Sequence, residues 1–204
     1  MNAIQKLTEI FTHFPGIGPR QARRFVYYLL TRSPSTMSEL AGYISALKNE
    51  VSQCLDCRRF FEKRHGKAEL CDICADGNRD RSILMLVQRD IDLESVERNG
   101  VFNGTYFVLG GSVPILEKEP EKRIRVQELE EKMEKSKDLI KEVILGVNAN
   151  PEGENTAEFV IKSLEKLSAE NKIKISHLGK GLSTGTELEY TDPETLKNAL
   201  KNRN

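Results

Sequence analysis

Four cysteines constrain this chain more than any other feature: Cys54-Leu-Asp-Cys57, thirteen intervening residues, then Cys71-Asp-Ile-Cys74, with no cysteine elsewhere. One Cys-x-x-Cys pair grips one side of a tetrahedral ion, and two pairs joined by a return loop complete a four-thiolate zinc site. Two disulfides are the rival reading. They need an oxidising compartment, and Met1-Asn2-Ala3-Ile4-Gln5-Lys6 runs straight into an amphipathic pattern with nothing resembling a signal peptide. Zinc on Cys54, Cys57, Cys71 and Cys74 is the expectation. Such a site is coordinatively closed, so it explains how a small region stays folded rather than a catalytic step.

With 204 residues, 38% hydrophobic and 30% charged, the chain reads as a soluble globular protein of one large or two modest domains. No apolar run approaches the roughly 20 residues that cross a bilayer, which predicts no membrane partner and a cytoplasmic location. Formal net charge is zero, but residues 1–81 hold 13 Lys/Arg against 9 Asp/Glu and the remainder 18 against 22. Four thiolates around a divalent ion would offset part of the first excess, so any nucleic-acid site must be a local cluster.

Ile4, Leu7, Ile10 and Phe11 predict a first helix over residues 2–12, which Pro15-Gly16-Ile17-Gly18-Pro19 interrupts. A second helix is expected from Arg20 to Leu30, and a third, capped by Ser35 or Thr36, to about Glu50. From Ser82 the pattern changes. Ile83–Val87, Tyr106–Leu109 and Val143–Val147 are short continuous apolar runs of the kind buried on both faces of a parallel sheet. Helical stretches at 93–98, 125–137 and 156–167 alternate with them, and a strand near 173–175 and a helix from Pro193 to about Lys201 follow. The Glu/Lys-dense segment 117–142 alternates in sign and reads as a solvated loop and helix face.

Between two helices, Pro15-Gly16-Ile17-Gly18-Pro19 has the form of a helix-hairpin-helix. Gly16 and Gly18 would let backbone N–H groups approach a phosphate at a helix N-terminus, and Arg20, Arg23 and Arg24 add full charge there. An ordinary helix–helix turn is the alternative. Residues 58–67 carry five basic side chains against one acid, with Phe60 and Phe61 serving either nucleic acid or a small core. His65 reads as a loop histidine and not a ligand. Asn148-Ala149-Asn150-Pro151-Glu152-Gly153-Glu154-Asn155-Thr156 stands where α/β proteins bind ligands, or caps a helix through Asn155 or Thr156. Residues 178–189 are Gly-rich without P-loop order.

In this order these residues resemble the bacterial RecR recombination mediator family. The segments that carry the resemblance are Phe14–Arg20 with Ala22 and Arg24, the cysteine quartet with Asn78-Arg79-Asp80, and Tyr106–Gly111. They continue through Glu142–Leu145, Glu152-Gly153-Glu154-x-Thr156-Ala157 and Gly185-x-Glu187-Leu188-Glu189-Tyr190-x-Asp192. The resemblance implies an α/β protein built of small modules. Residues 1–53 would form a helix-hairpin-helix DNA-binding region, 54–77 a four-cysteine zinc finger, 78–178 a Toprim-like parallel α/β domain, and 179–204 a C-terminal assembly segment. It implies no enzyme. RecR proteins form dimers or tetrameric rings that clamp DNA and work with RecO and RecF to load recombinase at gapped DNA. Gly16, Gly18, Arg20, Arg23 and Arg24 would then contact DNA, and Glu152 and Glu154 a partner protein.

Three departures stand out. Toprim enzymes hold magnesium with a glutamate on the first strand and Asp-x-Asp after a later one; here the positions read Gln88 and Asn148-Ala149-Asn150, and neutral amides neither select magnesium nor act as a base. Asp90, Asp92 and Glu97 are the nearby substitutes, which keeps a magnesium-dependent Toprim enzyme as the alternative function. The loop Pro114–Lys122 replaces a glycine-rich family loop with charges, and Lys180 and Ser183 replace the usual histidine and proline.

Overall fold

The structure is a computed structural model and describes residues 1–63, 69–179, 181, 182, 185 and 187–201. His65, Lys180 and Ser183 lie outside the described residues. The chain divides into two compact units, Met1–Val51 and Ser52–Asn204.

The first unit is three helices: α1 (Ala3–Thr12), α2 (Pro19–Leu30) and α3 (Pro34–Glu50). A reciprocal cap starts α1, in which Gln5 N–H donates to Asn2 Oδ1 at 2.9 Å and Asn2 N–H to Gln5 Oε1 at 3.0 Å. Gly18 precedes α2 and Pro19 opens it, its missing N–H costing nothing at that position. The cap of α3 is Ser33, ahead of the expected Ser35 or Thr36, accepting from Thr36 N–H at 3.2 Å. The reason is Pro34, which suits the first helical position and so moves the start upstream. Only Ala22 and Val26 are buried in this unit; Phe11 meets Phe25 edge-on at 6.0 Å, and α3 buries nothing.

The second unit centres on a four-stranded parallel sheet in the order β4-β3-β5-β6, from β3 (Asp80–Val87), β4 (Gly104–Val108), β5 (Glu142–Gly146) and β6 (Lys174–His177). Before it come β1 (Val51–Gln53) pairing with β2 (Phe60–Glu62), and the single-turn α4 (Asp72–Ala75); α5 (Asp90–Asn99), α6 (Val126–Lys135), α7 (Pro151–Asn171) and α8 (Pro193–Lys201) complete it. Register places Val87 opposite both Val108 and Gly146, so the central strands end level.

Period-two alternation sorts the apolar runs into two cores. Leu84, Leu86, Phe107, Val143 and Leu145 pack with Val126, Leu129 and Met133 of α6 and Ala157, Val160 and Leu164 of α7. On the other face Met85, Val87, Tyr106 and Val108 pack with Leu93 of α5 and with all four cysteines. Both faces of the sheet are thus covered, which is why the strands read as unbroken apolar runs. Among the described residues no helix is long and apolar enough to cross a membrane.

Helix α7 begins at Pro151, more than a turn before the expected Thr156, and its cap is Asn150, whose Oδ1 accepts Gly153 N–H at 2.8 Å. Asn155 and Thr156 do other work: Asn155 Nδ2 donates to Val113 O at 2.9 Å and Thr156 Oγ1 accepts from Val113 N–H at 2.9 Å, pinning the loop after β4 to α7.

Candidate metal centre and nucleic-acid interface

The two cysteine turns converge. The four Sγ atoms lie within 4.8 Å of one another, with Cys57 Sγ 3.6 Å from Cys71 Sγ, and every side chain is buried. A tetrahedron with metal–sulfur bonds of about 2.3 Å separates its sulfurs by roughly 3.8 Å, so the donor set fits a zinc-sized ion. Cys71 N–H also donates to Cys54 Sγ at 3.4 Å. Hydrogen bonding with Cys54 pushes the Cys57 and Cys74 thiols up, while Cys54, accepting from Cys57, is held low. Four buried sulfurs at this spacing cannot all carry charge without a cation between them.

The knuckle is fastened to the sheet. Cys57 O accepts Val108 N–H at 2.8 Å, Arg81 Nη2 donates to Cys74 O at 3.1 Å, Asp90 Oδ1 accepts Phe60 N–H at 2.7 Å, and Lys132 pairs with Asp56. Beside these, Arg79 grips Glu97 through both terminal nitrogens at 2.8 and 2.5 Å, and Tyr106 Oη donates to the same carboxylate at 2.7 Å. Arg79 holds the Glu97 carboxyl below the usual range; burial, then Glu97, pushes Tyr106 up. Phe61 joins this core, the structural one of the two expected roles, while Phe60 is left exposed.

At the carboxyl end of the sheet, Gln88 is 2% exposed and its Oε1 accepts Asn148 N–H at 3.1 Å. Asn150 is occupied as a cap. Nor do the acids proposed as substitutes converge: Asp90 holds Phe60 N–H, Asp92 Oδ2 accepts Arg89 N–H at 2.9 Å, and Glu97 belongs to Arg79. Among the described residues the cysteine quartet is the one group of three or more His, Cys, Asp or Glu side chains close enough to share an ion. Glu152 sits in the first turn of α7, accepting from Ser112 Oγ, and Glu154 is exposed one residue beyond Gly153. The charged loop is paired internally, Glu117 with Arg123 and Glu119 with Lys122, and leaves Ile115 and Leu116 exposed.

In the hairpin, Gly16 has φ +76°, a left-handed conformation that favours glycine. Open space surrounds the Cβ positions of Gly16 and Gly18, and Gly18 O accepts Ala22 N–H at 2.9 Å as α2 begins. Arg20, Arg23 and Arg24 are all exposed on the first turns that follow. Between Glu9 and Glu39 the chain has four arginines and no acid. Arg79, Glu97, Tyr106 and Gln88 all stand out in the sequence, but not the pairing of the first three with one another or the bond from Asn148 N–H to Gln88.

Comparison with known proteins agrees along the chain. Family models match as "RecR, helix-hairpin-helix" over residues 4–48, "Toprim domain" over 82–179 and "RecR, C-terminal" over 181–204. The chain is 33% identical over 200 residues to recombination protein RecR of Lactobacillus helveticus, covering 98% of this chain and 96% of that one. It is 36% identical to its counterparts in Chloroflexus aurantiacus (98% and 93% covered) and Bifidobacterium adolescentis (98% and 95%). The chain belongs to the RecR family of recombination proteins.

Proposed function

We propose that this protein is a DNA-binding mediator of recombinational repair that helps load recombinase at gapped or single-stranded DNA as a ring-forming clamp, without chemical turnover. The observation that carries the reading is the hairpin: a left-handed Gly16 delivers the open N-terminus of an acid-free helix bearing Arg20, Arg23 and Arg24, the arrangement that suits a phosphate backbone. Gly16 and Gly18 supply the close approach. Zinc on the cysteine quartet fixes the knuckle on the sheet, with 1–53, 54–77, 78–178 and 179–204 as the working segments. Support for a ring comes from apolar side chains left exposed at both ends, Tyr43, Ile44 and Leu47 on α3 and Leu182, Leu188, Tyr190 and Leu200 near the C-terminus. Glu152 and Glu154 face a RecO- or RecF-type partner, and the site of action is the cytoplasm. Gln88 and Asn150, neutral and engaged, support a non-catalytic role.

The test is the salt dependence of duplex and single-strand binding by an Arg20→Gln/Arg24→Gln double variant. Losing two phosphate contacts lowers the slope of log affinity against log salt by about 1.8 on duplex DNA, with roughly ten-fold or greater weakening near physiological salt. Unchanged affinity and slope would remove the hairpin from the interface.

A further inference from the structure

On α2 the side chains opposite the buried Ala22 and Val26 form a ridge at four-residue steps: Arg20, Arg24, Tyr28 and, in the turn after Leu30, Arg32. Arg32 N–H donates to Leu29 O at 2.9 Å, so the helical path carries on to it. The Arg32 guanidinium lies 4.1 Å from the Tyr28 ring centroid, yet the tyrosine remains 56% exposed. An exposed aromatic ring held in one orientation by a stacked cation loses little side-chain freedom when something settles on it. The ridge spans roughly 18 Å at 1.5 Å per residue, several nucleotides of an extended strand.

We infer that Tyr28, braced by Arg32, is a stacking platform for an unpaired base, and that α2 reads single-stranded DNA along its length while the hairpin holds the phosphates. Charge selects this occupant. Arginines at both ends of the ridge and no acid from Ile10 to Ser38 favour a polyanion, and the tyrosine between them offers a π-face to an unpaired base, whereas a closed duplex presents no base face to it. The inference rests on the DNA-binding reading above and adds the feature that separates gapped from intact DNA.

The experiment uses the full-length protein with zinc and three probes of equal length: oligothymidylate, an abasic strand with the same phosphates, and a blunt duplex. Tyr28→Ala weakens oligothymidylate binding on the order of ten-fold, the range of one lost base–aromatic stack, with little change on the abasic strand or duplex. Its salt slope stays that of the parent, and Tyr28→Phe restores affinity. Arg20→Gln/Arg24→Gln weakens all three probes, so failure of that variant alone identifies a failure of the hairpin reading. Equal weakening of the abasic strand by Tyr28→Ala, or no weakening of oligothymidylate, overturns the platform. A change in native mass of Tyr28→Ala without DNA overturns it too, assigning the ring to an interface between copies.

Discussion

Replacing Arg79 with Met would strip the network that ties the segment after α4 to α5 and β4. The arginine and glutamate side chains are 15% and 23% exposed, and two charge-assisted hydrogen bonds join them. Arg79→Met leaves the Glu97 carboxylate mostly covered, with the Tyr106 hydroxyl still donating to it. Breaking a fully buried pair costs about 3–5 kcal/mol; partial exposure reduces this to about 2–3 kcal/mol here. Adding Glu97→Gln removes the stranded charge, so the double variant loses less than the two single losses summed, with a coupling of about 1–2 kcal/mol. The pH dependence has a definite sign. Because Arg79 depresses the folded carboxyl, its contribution is complete above the unfolded glutamate value of about 4.3 and is lost as pH falls through the lower folded value. Urea unfolding followed by circular dichroism, at neutral pH and then in steps into the acid range, measures both. A variant within about 0.5 kcal/mol of the parent at neutral pH, or a difference that does not narrow in acid, would refute the reasoning.

Two further outcomes follow from the same unit. Cys57→Ser and Cys71→Ser each break the four-sulfur set, so elemental analysis finds zinc near one per chain in the parent and absent in the variants. A loss of at least about 3 kcal/mol lowers the thermal midpoint by roughly 10 °C in a chain of this length. Gly153→Ala places a Cβ 2.0 Å from Asn148 O, a contact relieved only by moving backbone at the start of α7. It destabilises by about 2 kcal/mol or more in urea, and a variant as stable as the parent would contradict the close approach.

What the sequence discloses here follows how local the determinant is. Cysteine spacing is a local fact, and the quartet closes as its spacing demands. Apolar runs at 83–87, 106–109 and 143–147 become the central strands because a sheet covered on both faces leaves no polar alternation to obscure them. The start of α7 is misread for a local reason too: Pro151 and Gly153 look like breakers, yet proline suits the first helical position and Gly153 N–H serves the Asn150 cap. The Arg79–Glu97–Tyr106 network lies beyond such reading. Its members come from β3's approach, α5 and β4, and only the parallel register that sets Met85 opposite Tyr106 places them on one face.

Gln88 closes the carboxyl end of the central strand with a neutral, buried side chain. The carboxyl end of the central strand is where an α/β sheet ordinarily receives a ligand, and a buried carboxylate there would need a cation or several donors to offset its desolvation. An amide carries no charge to offset. Its oxygen takes the Asn148 N–H, its own backbone carbonyl takes Gly110 N–H at 2.9 Å, and Asn150 closes the next turn as a cap. The groups that would frame a metal therefore tie β3, β4 and α7 together at their ends. Their rigidity passes outward through Thr156 and Asn155 to Val113, and through Ser112 to Glu152. The exposed loop after β4 and the acidic first turn of α7 are thus tied to each other and, through the same bonds, to the carboxyl end of the sheet.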